Sequence, residues 1–410
     1  MAEILDIQKP IFFDESVSHY EVHAHLPYTL STLNNSDEIR ISIQHQDLCI
    51  LPSKSSLHIC GRFVKEDNTA VTESMELVNM AICHMFEEIR YELNAVEIDR
   101  CKNVGITSLM KNYVSQSPGR VNIMENAGWL TQAANKLTDA DGYFDISIPL
   151  SFIFGFAEDY NRIIINAKHE LILIRSNVDT NAYIHKPATA QAVAERVKIV
   201  LNKVVWNVPY ITMSDQQKIQ ALNFITNDPA ISMSFRTWQF YEYPMLPRTT
   251  KHVWPIKTST QLEKTRYVIL GFQTARKNVV TKDASKFDHC NIRDVKLFLN
   301  SQSYPYGNLN LNIARNQFAL IYDMYTNFQV SYYNKDPEPL LSKAKFLTDA
   351  PLYIIDCLKQ NESIKSGPVD IRIEFESENL FPDHTAAYCL ILHDRIIEYN
   401  PISSTVRKIT

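Results

Sequence analysis

Histidine and carboxylate side chains on one face of a strand can hold a divalent metal. His19, Glu21, His23 and His25 alternate in that way in the segment SVSHYEVHAH. A cupin-type site would need glycines and a glutamate a few residues later. Here Leu26-Pro27-Tyr28-Thr29-Leu30 follows, and the next acid is Asp37. The four residues are therefore read as the solvent face of a strand. His45-Gln46-Asp47 has the HxD spacing of the facial triad of non-haem iron oxygenases, with His169 as a distant third ligand and Arg175 and Ser176 beyond it. So short a pattern recurs by chance, and it continues the alternation of the residues before it, so it too is assigned to solvent. The adjacent acids Glu87 and Glu88 point to opposite faces if they lie on a strand, which rules out an acid/base pair there. GxSxG, HExxH, GxxxxGK[ST] and GxGxxG are all absent. No catalytic, cofactor-binding or metal residue is assigned, no cofactor is expected, and the chain is not expected to be an enzyme.

Two other clusters invite a binding role. Trp238-Gln239-Phe240-Tyr241-Glu242-Tyr243-Pro244 could be an aromatic platform, but such clusters are more often core or subunit-interface packing. Between Arg248 and Lys286 nine bases meet only Glu263 and Asp283, whereas residues 1–100 hold 17 acids against 7 bases. A solvated face is preferred over a nucleic-acid-facing one, because no basic tail or stacking signature accompanies the run.

The seven cysteines (Cys49, Cys60, Cys83, Cys101, Cys290, Cys357 and Cys389) form no CxxC pair, and most lie in apolar runs. They are read as reduced, small core residues, not as a zinc framework. The chain has 410 residues, 45% of them hydrophobic and 21% charged, which suits two folded domains. Only 9 glycines argue against phosphate loops and flexible linkers. The opening MAEILDIQKP is no secretory leader, and the longest apolar stretch, near Ile148–Ala157, is about half of the ~20 residues a membrane helix needs. A soluble protein made in the cytosol is expected, with no membrane segment.

The elements that must carry these residues are mostly strands. Ile39, Ile41 and Ile43 alternate with polar residues, as do Phe144, Ile146, Ile148 and Leu150, and Val369, Ile371, Ile373 and Phe375. Side chains on a strand point alternately to opposite faces, so each run describes a strand with one face in a core. Further β-rich runs fall at 19–28, 57–64, 161–175, 196–209, 232–243, 265–275, 294–300, 351–358 and 386–399, separated by turn clusters. Helical signals are few. Ser214 and Gln217 have capping-box spacing, with Ile219, Leu222 and Ile225 on one stripe behind them, which predicts a packed helix over 214–226 that Asp228-Pro229 ends. A second helix is allowed after Asn316, although its later part, FQVSYY, also reads as strand.

Three weak echoes join the halves. Ile89–Asn94 resembles Val295–Asn300, 206 residues on; Asp145–Ile148 resembles Asp370–Ile373; and Leu171–Ile174 resembles Cys389–Leu392. Together they suggest a duplicated β-domain. The expected fold is all-β, two tandem jelly-roll sandwiches with a short connecting helix: an arm at 1–15, a first jelly roll at 16–212, a connector at 213–229 and a second jelly roll at 230–410.

The stretch Phe235–Asn278 carries Glu242-Tyr243-Pro244, Trp254-Pro255-Ile256-Lys257-Thr258, Glu263-Lys264 and Phe272-Gln273-Thr274. With Val205-Trp206-Asn207-Val208-Pro209 and Ser214-Asp215 before it, it resembles the major capsid protein of Polinton (Maverick) elements and adintoviruses. Thr265 stands where members carry proline. The resemblance implies a double jelly roll, a homotrimer of pseudo-hexameric outline, and an icosahedral shell tiled around double-stranded DNA. It also implies a penton or minor capsid partner and a place in the virion after synthesis in the host cytoplasm and assembly in the nucleus, and the excess of seven positive charges at 248–286 would then allow non-specific contact with packaged DNA. Two other readings of a jelly roll are a metal-dependent oxygenase at His45/Asp47 or His23/His25, and a carbohydrate-binding or domesticated recognition module using residues 238–243.

Overall fold

The alternating runs become strands whose apolar side chains are buried and whose polar ones are not. In a computed structural model, residues 16–28, 33–44, 49–69, 71, 74–130, 136–186, 196–256, 265–300, 302–358 and 370–409 are described. Sixteen strands make the frame. The first eight are β1 (Val17–His25), β2 (Glu38–Ile43), β3 (Ser56–Lys65), β4 (Phe86–Leu93), β5 (Val96–Lys102), β6 (Tyr143–Pro149), β7 (His169–Arg175) and β8 (Val197–Met213). The second eight are β9 (Ile231–Tyr243), β10 (Lys251–Ile256), β11 (Thr265–Thr274), β12 (Ile292–Leu299), β13 (Gln302–Tyr304), β14 (Tyr353–Asp356), β15 (Ile371–Ser377) and β16 (Thr385–Tyr399).

Every pairing is antiparallel, and the order repeats. The first half pairs as β1-β8-β3-β6 and β2-β7-β4-β5. The second pairs as β9-β16-β11-β14 and β10-β15-β12-β13, the same order with eight added to each number. Each half is two four-stranded sheets in jelly-roll order. Aromatic pairs bridge each sandwich: Tyr91 meets Trp206 edge-on at 6.2 Å, and Phe272 meets Phe375 at 5.2 Å. Short strands at Cys49–Ile50, Ile164–Ile165 and Val406–Lys408 extend the sheets, and Ser74–Leu77 pairs with Tyr183–Lys186 as a separate two-stranded sheet.

One of the three echoes marks a true equivalence. Ile89–Asn94 lies on β4 and Val295–Asn300 on β12, its counterpart. Both runs end on an asparagine in the left-handed region, at φ 48° for Asn94 and 54° for Asn300. Each asparagine clamps the residue that leads into the neighbouring strand. Asn94 donates to the Lys168 carbonyl and accepts its N–H at 2.8 Å; Asn300 does the same with Asp370, accepting at 2.9 Å. Asparagine tolerates this backbone and supplies the side-chain acceptor, so one residue fixes both the turn and the corner. The other two echoes pair β6 with β15 and β7 with β16, which hold different places in the sheets. Short buried strands look alike, and spacing alone misassigned them.

Helices differ more from expectation. The helix α1 (Val104–Ser115) had no clear signal, because eleven of its twelve residues are buried and no polar face breaks the pattern. A turn of helix, α2 (Gly155–Asp159), lies against β9. Between the halves runs α3 (Asp215–Ile225), with Ser214 at its N-cap. No side-chain cap bond forms there, and Ile219 and Leu222 are exposed, so of the expected stripe only Ile225 packs. The segment FQVSYY is helical throughout, as the end of α4 (Ala319–Tyr333), which packs on α1.

Candidate assembly surfaces and the joint between sandwiches

Among the described residues, the oxygenase candidates are taken up by other contacts. His45 and Asp47 lie outside the described residues. His169 is fully buried on β7, its Nδ1 is 2.6 Å from the Tyr91 hydroxyl, and burial pulls its pKa down to about 3, so it is neutral. Arg175 turns to a buried ion pair with Asp179 at 3.0 Å, and the Ser176 hydroxyl donates to the His84 carbonyl. On β1 the Glu21 carboxylate sits between His23 at 2.8 Å and His19 at 2.5 Å on the exposed face of the strand. Those hydrogen bonds hold Glu21 below the usual carboxylate range. His23 and His25 both contact the Tyr210 ring, and His25 Nε2 lies 2.9 Å from the Tyr210 hydroxyl.

The aromatic segment is structural. Trp238 is buried against Phe328 and Tyr332, with the Lys111 ammonium 5.6 Å from its ring, and Phe240 stacks on Tyr388. The basic run is largely neutralised locally. Arg248, Arg266, Arg276, Lys277 and Lys286 pair with Asp383, Asp394, Asp288, Glu242 and Asp349, which accounts for five of the seven bases of that run that are described. Lys257 and Lys264 lie outside the described residues.

What the chain does build with care is the joint between the two sandwiches. α2, from the first half, meets β9, from the second. Arg236 on β9 grips Asp159 through Nη2–Oδ1 at 2.6 Å and Nε–Oδ2 at 2.9 Å, and its backbone N–H donates to the same carboxylate at 2.8 Å. Its Nη1 donates to the Tyr332 carbonyl, and the guanidinium lies 3.6 Å from the Tyr332 ring centre. Burial opposes the Arg236 charge, but Asp159 and the nearby acids outweigh it and hold its pKa above the usual value. Beside it, fully buried Lys111 on α1 meets Glu158 at 2.7 Å and donates to the Ser151 carbonyl. Asp99 on β5 accepts from the Thr237 hydroxyl at 2.7 Å and from the Phe156 N–H at 3.0 Å. Burial raises the Asp99 carboxyl. The Tyr325 hydroxyl donates to the Tyr113 carbonyl, and Arg395 to the Ile98 carbonyl. Phe156 meets Phe235 edge-on at 5.2 Å, so apolar packing crosses the joint as well. Gly155 is required here, because a Cβ on it would lie 1.7 Å from the Arg236 carbonyl oxygen.

The outside carries apolar groups without cover. Every residue of β1 but the last is exposed, Val17, Tyr20 and Val22 among them, and β1 is an edge with no second neighbour among the described residues. On α3, Ile219, Leu222 and Phe224 are 59%, 54% and 59% exposed. The two elements adjoin, since the Ser214 N–H donates to the Ser16 carbonyl. No helix of the described residues is long and apolar enough to cross a membrane.

Two jelly rolls of one strand order, locked side by side, make this a double jelly-roll protein. The double jelly roll-like domain family matches over residues 75–397, most of the chain, and the chain belongs to it. It is similar to a chain in the structure of the Sputnik virophage (9% identity, 98% of this chain and 91% of that one, TM-score 0.67). It is also similar to the Faustovirus major capsid protein (9% identity, 96% and 93% covered, TM-score 0.61) and to the mavirus major capsid protein (8% identity, 98% and 92% covered, TM-score 0.55). No curated protein sequence matches it.

Proposed function

We propose that the chain is a major capsid protein, a structural component of a virion and not an enzyme. The observation that carries this reading is the shared double jelly-roll frame, matched along nearly the whole chain by viral capsid proteins. The division into an arm at 1–15, units at 16–212 and 230–410 and a connector at 213–229 belongs to the same reading. Three copies form a capsomer in which six similar sandwiches give a hexagonal outline, and capsomers tile a closed shell around double-stranded DNA. The Polinton and adintovirus lineage is supported by the residues quoted from Phe235 to Asn278. Penton or minor capsid proteins complete the shell, and assembly follows synthesis in the host cytoplasm. A non-specific DNA contact through the 248–286 run belongs to the same reading, and among its described bases Lys251 and Lys282 stand outside the local ion pairs.

Exposed apolar side chains on β1 and α3 suit burial against a second copy, since a soluble monomer rarely leaves such groups together in water. Light scattering on the purified chain should give a particle of roughly 142 kDa, three times 47.3 kDa, or larger shells. Leu222→Glu with Phe224→Glu should reduce assembly while leaving the far-ultraviolet circular dichroism unchanged. A wild-type chain that stays monomeric at high concentration refutes the capsid reading. A double variant that assembles normally refutes the role of α3 alone.

A further inference from the structure

Cys60 is not the core residue that its sequence context suggests. Alternation on β3 sends Leu57 and Ile59 inward and His58 and Cys60 outward. The register of β6 places Asp145 directly across from Cys60. The three side chains converge: Cys60 Sγ lies 3.4 Å from His58 Nε2 and 3.3 Å from an Asp145 oxygen, and that oxygen is 2.5 Å from His58 Nε2. Among the described residues this is the one group of three or more potential metal ligands whose donor atoms all lie within 4.8 Å of one another.

We propose that His58, Cys60 and Asp145 form a binding site for a borderline-soft divalent cation of the zinc class. The donor set is the argument. Thiolate, imidazole and carboxylate together suit zinc and disfavour calcium or magnesium, which take oxygen ligands. The geometry agrees. With Zn–S, Zn–N and Zn–O bonds of about 2.3, 2.05 and 2.1 Å, a tetrahedral site has donor–donor edges of about 3.4–3.6 Å. Both sulfur edges already lie within a few tenths of an ångström of that range. The His58–Asp145 edge must open by about 0.9 Å to reach it. The same Asp145 oxygen is hydrogen-bonded by His58 and by the Cys60 thiol, and the side chain is 72% exposed, so it can shift away from His58 while keeping its distance to Cys60. Two ligands come from one strand and the third from its hydrogen-bonded neighbour, so the sheet fixes their spacing. Entry of the cation releases the Cys60 thiol proton to solvent and requires the His58 proton facing Asp145 to leave Nε2, either to solvent or to Nδ1 by a change of tautomer, and the fourth position faces outward to water. Lys203, across from Cys60 on β8, is an exposed lysine whose long stem lets its ammonium move away. The inference stands whether or not the capsid reading does.

The test uses the full-length, tag-free chain, stripped with a chelator and titrated with Co²⁺ alone. A near-ultraviolet thiolate-to-cobalt band should grow to one equivalent per chain and collapse on addition of Zn²⁺. Cys60→Ser should abolish the band. His58→Gln and Asp145→Asn should each weaken binding by more than about tenfold, the least that loss of even an outer-shell partner costs. Circular dichroism checks that each variant is folded. The proposal is overturned by absence of the band in the wild type, by a band that survives Cys60→Ser, or by wild-type affinity in both of the other variants.

Discussion

The ion pair between Arg236 and Asp159 should be the strongest single coupling across the joint, and a double-mutant cycle measures it. The two side chains are 26% and 14% exposed, so they sit between the buried and the surface cases. Removing one partner of a fully buried pair costs about 3–5 kcal/mol, and removing an exposed pair costs about 0–1 kcal/mol. For Asp159→Leu the expected loss is about 2–3 kcal/mol, since Arg236 keeps its charge, its place over Tyr332 and only the Tyr332 carbonyl as a partner. Arg236→Met leaves the carboxylate with one backbone N–H and should cost a similar amount. The double variant should fall only about 1 kcal/mol short of wild type, because the Arg236 N–H still loses its acceptor. The coupling energy, the two single losses less the double, is then about 3 kcal/mol or more. Urea midpoints of all four proteins, at one fixed protein concentration so that any self-association contributes equally, give the cycle. Single variants within about 0.5 kcal/mol of wild type, or singles that sum to the double, would show that the contact is incidental.

Gly155→Ala should destabilise by about 3 kcal/mol or more, at the upper end for overpacking, because the added carbon meets backbone and not a movable side chain. Gly119→Ala, where nothing lies within 4 Å, is the control and should stay within about 0.5 kcal/mol; equal thermal midpoints for the two variants would refute the close-approach argument. Stability should also fall with acid. Burial holds His84, His169 and His393 at about 4, 3 and 4, below their unfolded value of about 6.5. The unfolded chain therefore takes up protons that the folded chain refuses as pH drops from about 6.5 toward 4, at up to about 1.4 kcal/mol per pH unit for each histidine. Asp99, whose carboxyl is raised by burial, acts in the opposite sense at the acid end of that window. A urea midpoint that does not move between pH 6.5 and 4.5, or a slope that His84→Gln leaves unchanged, would contradict this account.

Strands were legible wherever one face meets water. β2 and β15 alternate because Ile39 and Ile41, and Ile371 and Ile373, point inward while Glu38, Arg40 and Arg372 do not. α1 was illegible for the converse reason. It sits among the first-half elements and against α4, so Ile106, Leu109 and Lys111 are alike buried and no period survives. α4 ends in FQVSYY, whose aromatic content suggests a strand until tertiary packing of Phe328 and Tyr332 against Trp238 decides for helix. The duplication was legible in Leu93-Asn94 and Leu299-Asn300, because a left-handed corner restricts residue choice. The other two echoes rested on aliphatic runs, which any buried strand supplies.

The joint left almost no trace in sequence, because its partners are distant and each is ordinary alone. Asp159 and Arg236 are 77 residues apart, and Asp99 and Thr237 are 138 apart. The sign that was available is the cost of what is buried. A lysine inside an apolar helix and an arginine in an aromatic strand need partners in a folded chain. Lys111 and Arg236 find theirs in adjacent acids, Glu158 and Asp159, on one short helix. A run of apolar contacts could let the sandwiches slide, whereas Arg236 of the second half, gripped by Asp159 of the first beside the Lys111–Glu158 pair, permits one relative placement. A joint gripped in this way holds the two sandwiches at one spacing, which accounts for charge being buried where apolar packing such as Phe156 on Phe235 already holds the halves together.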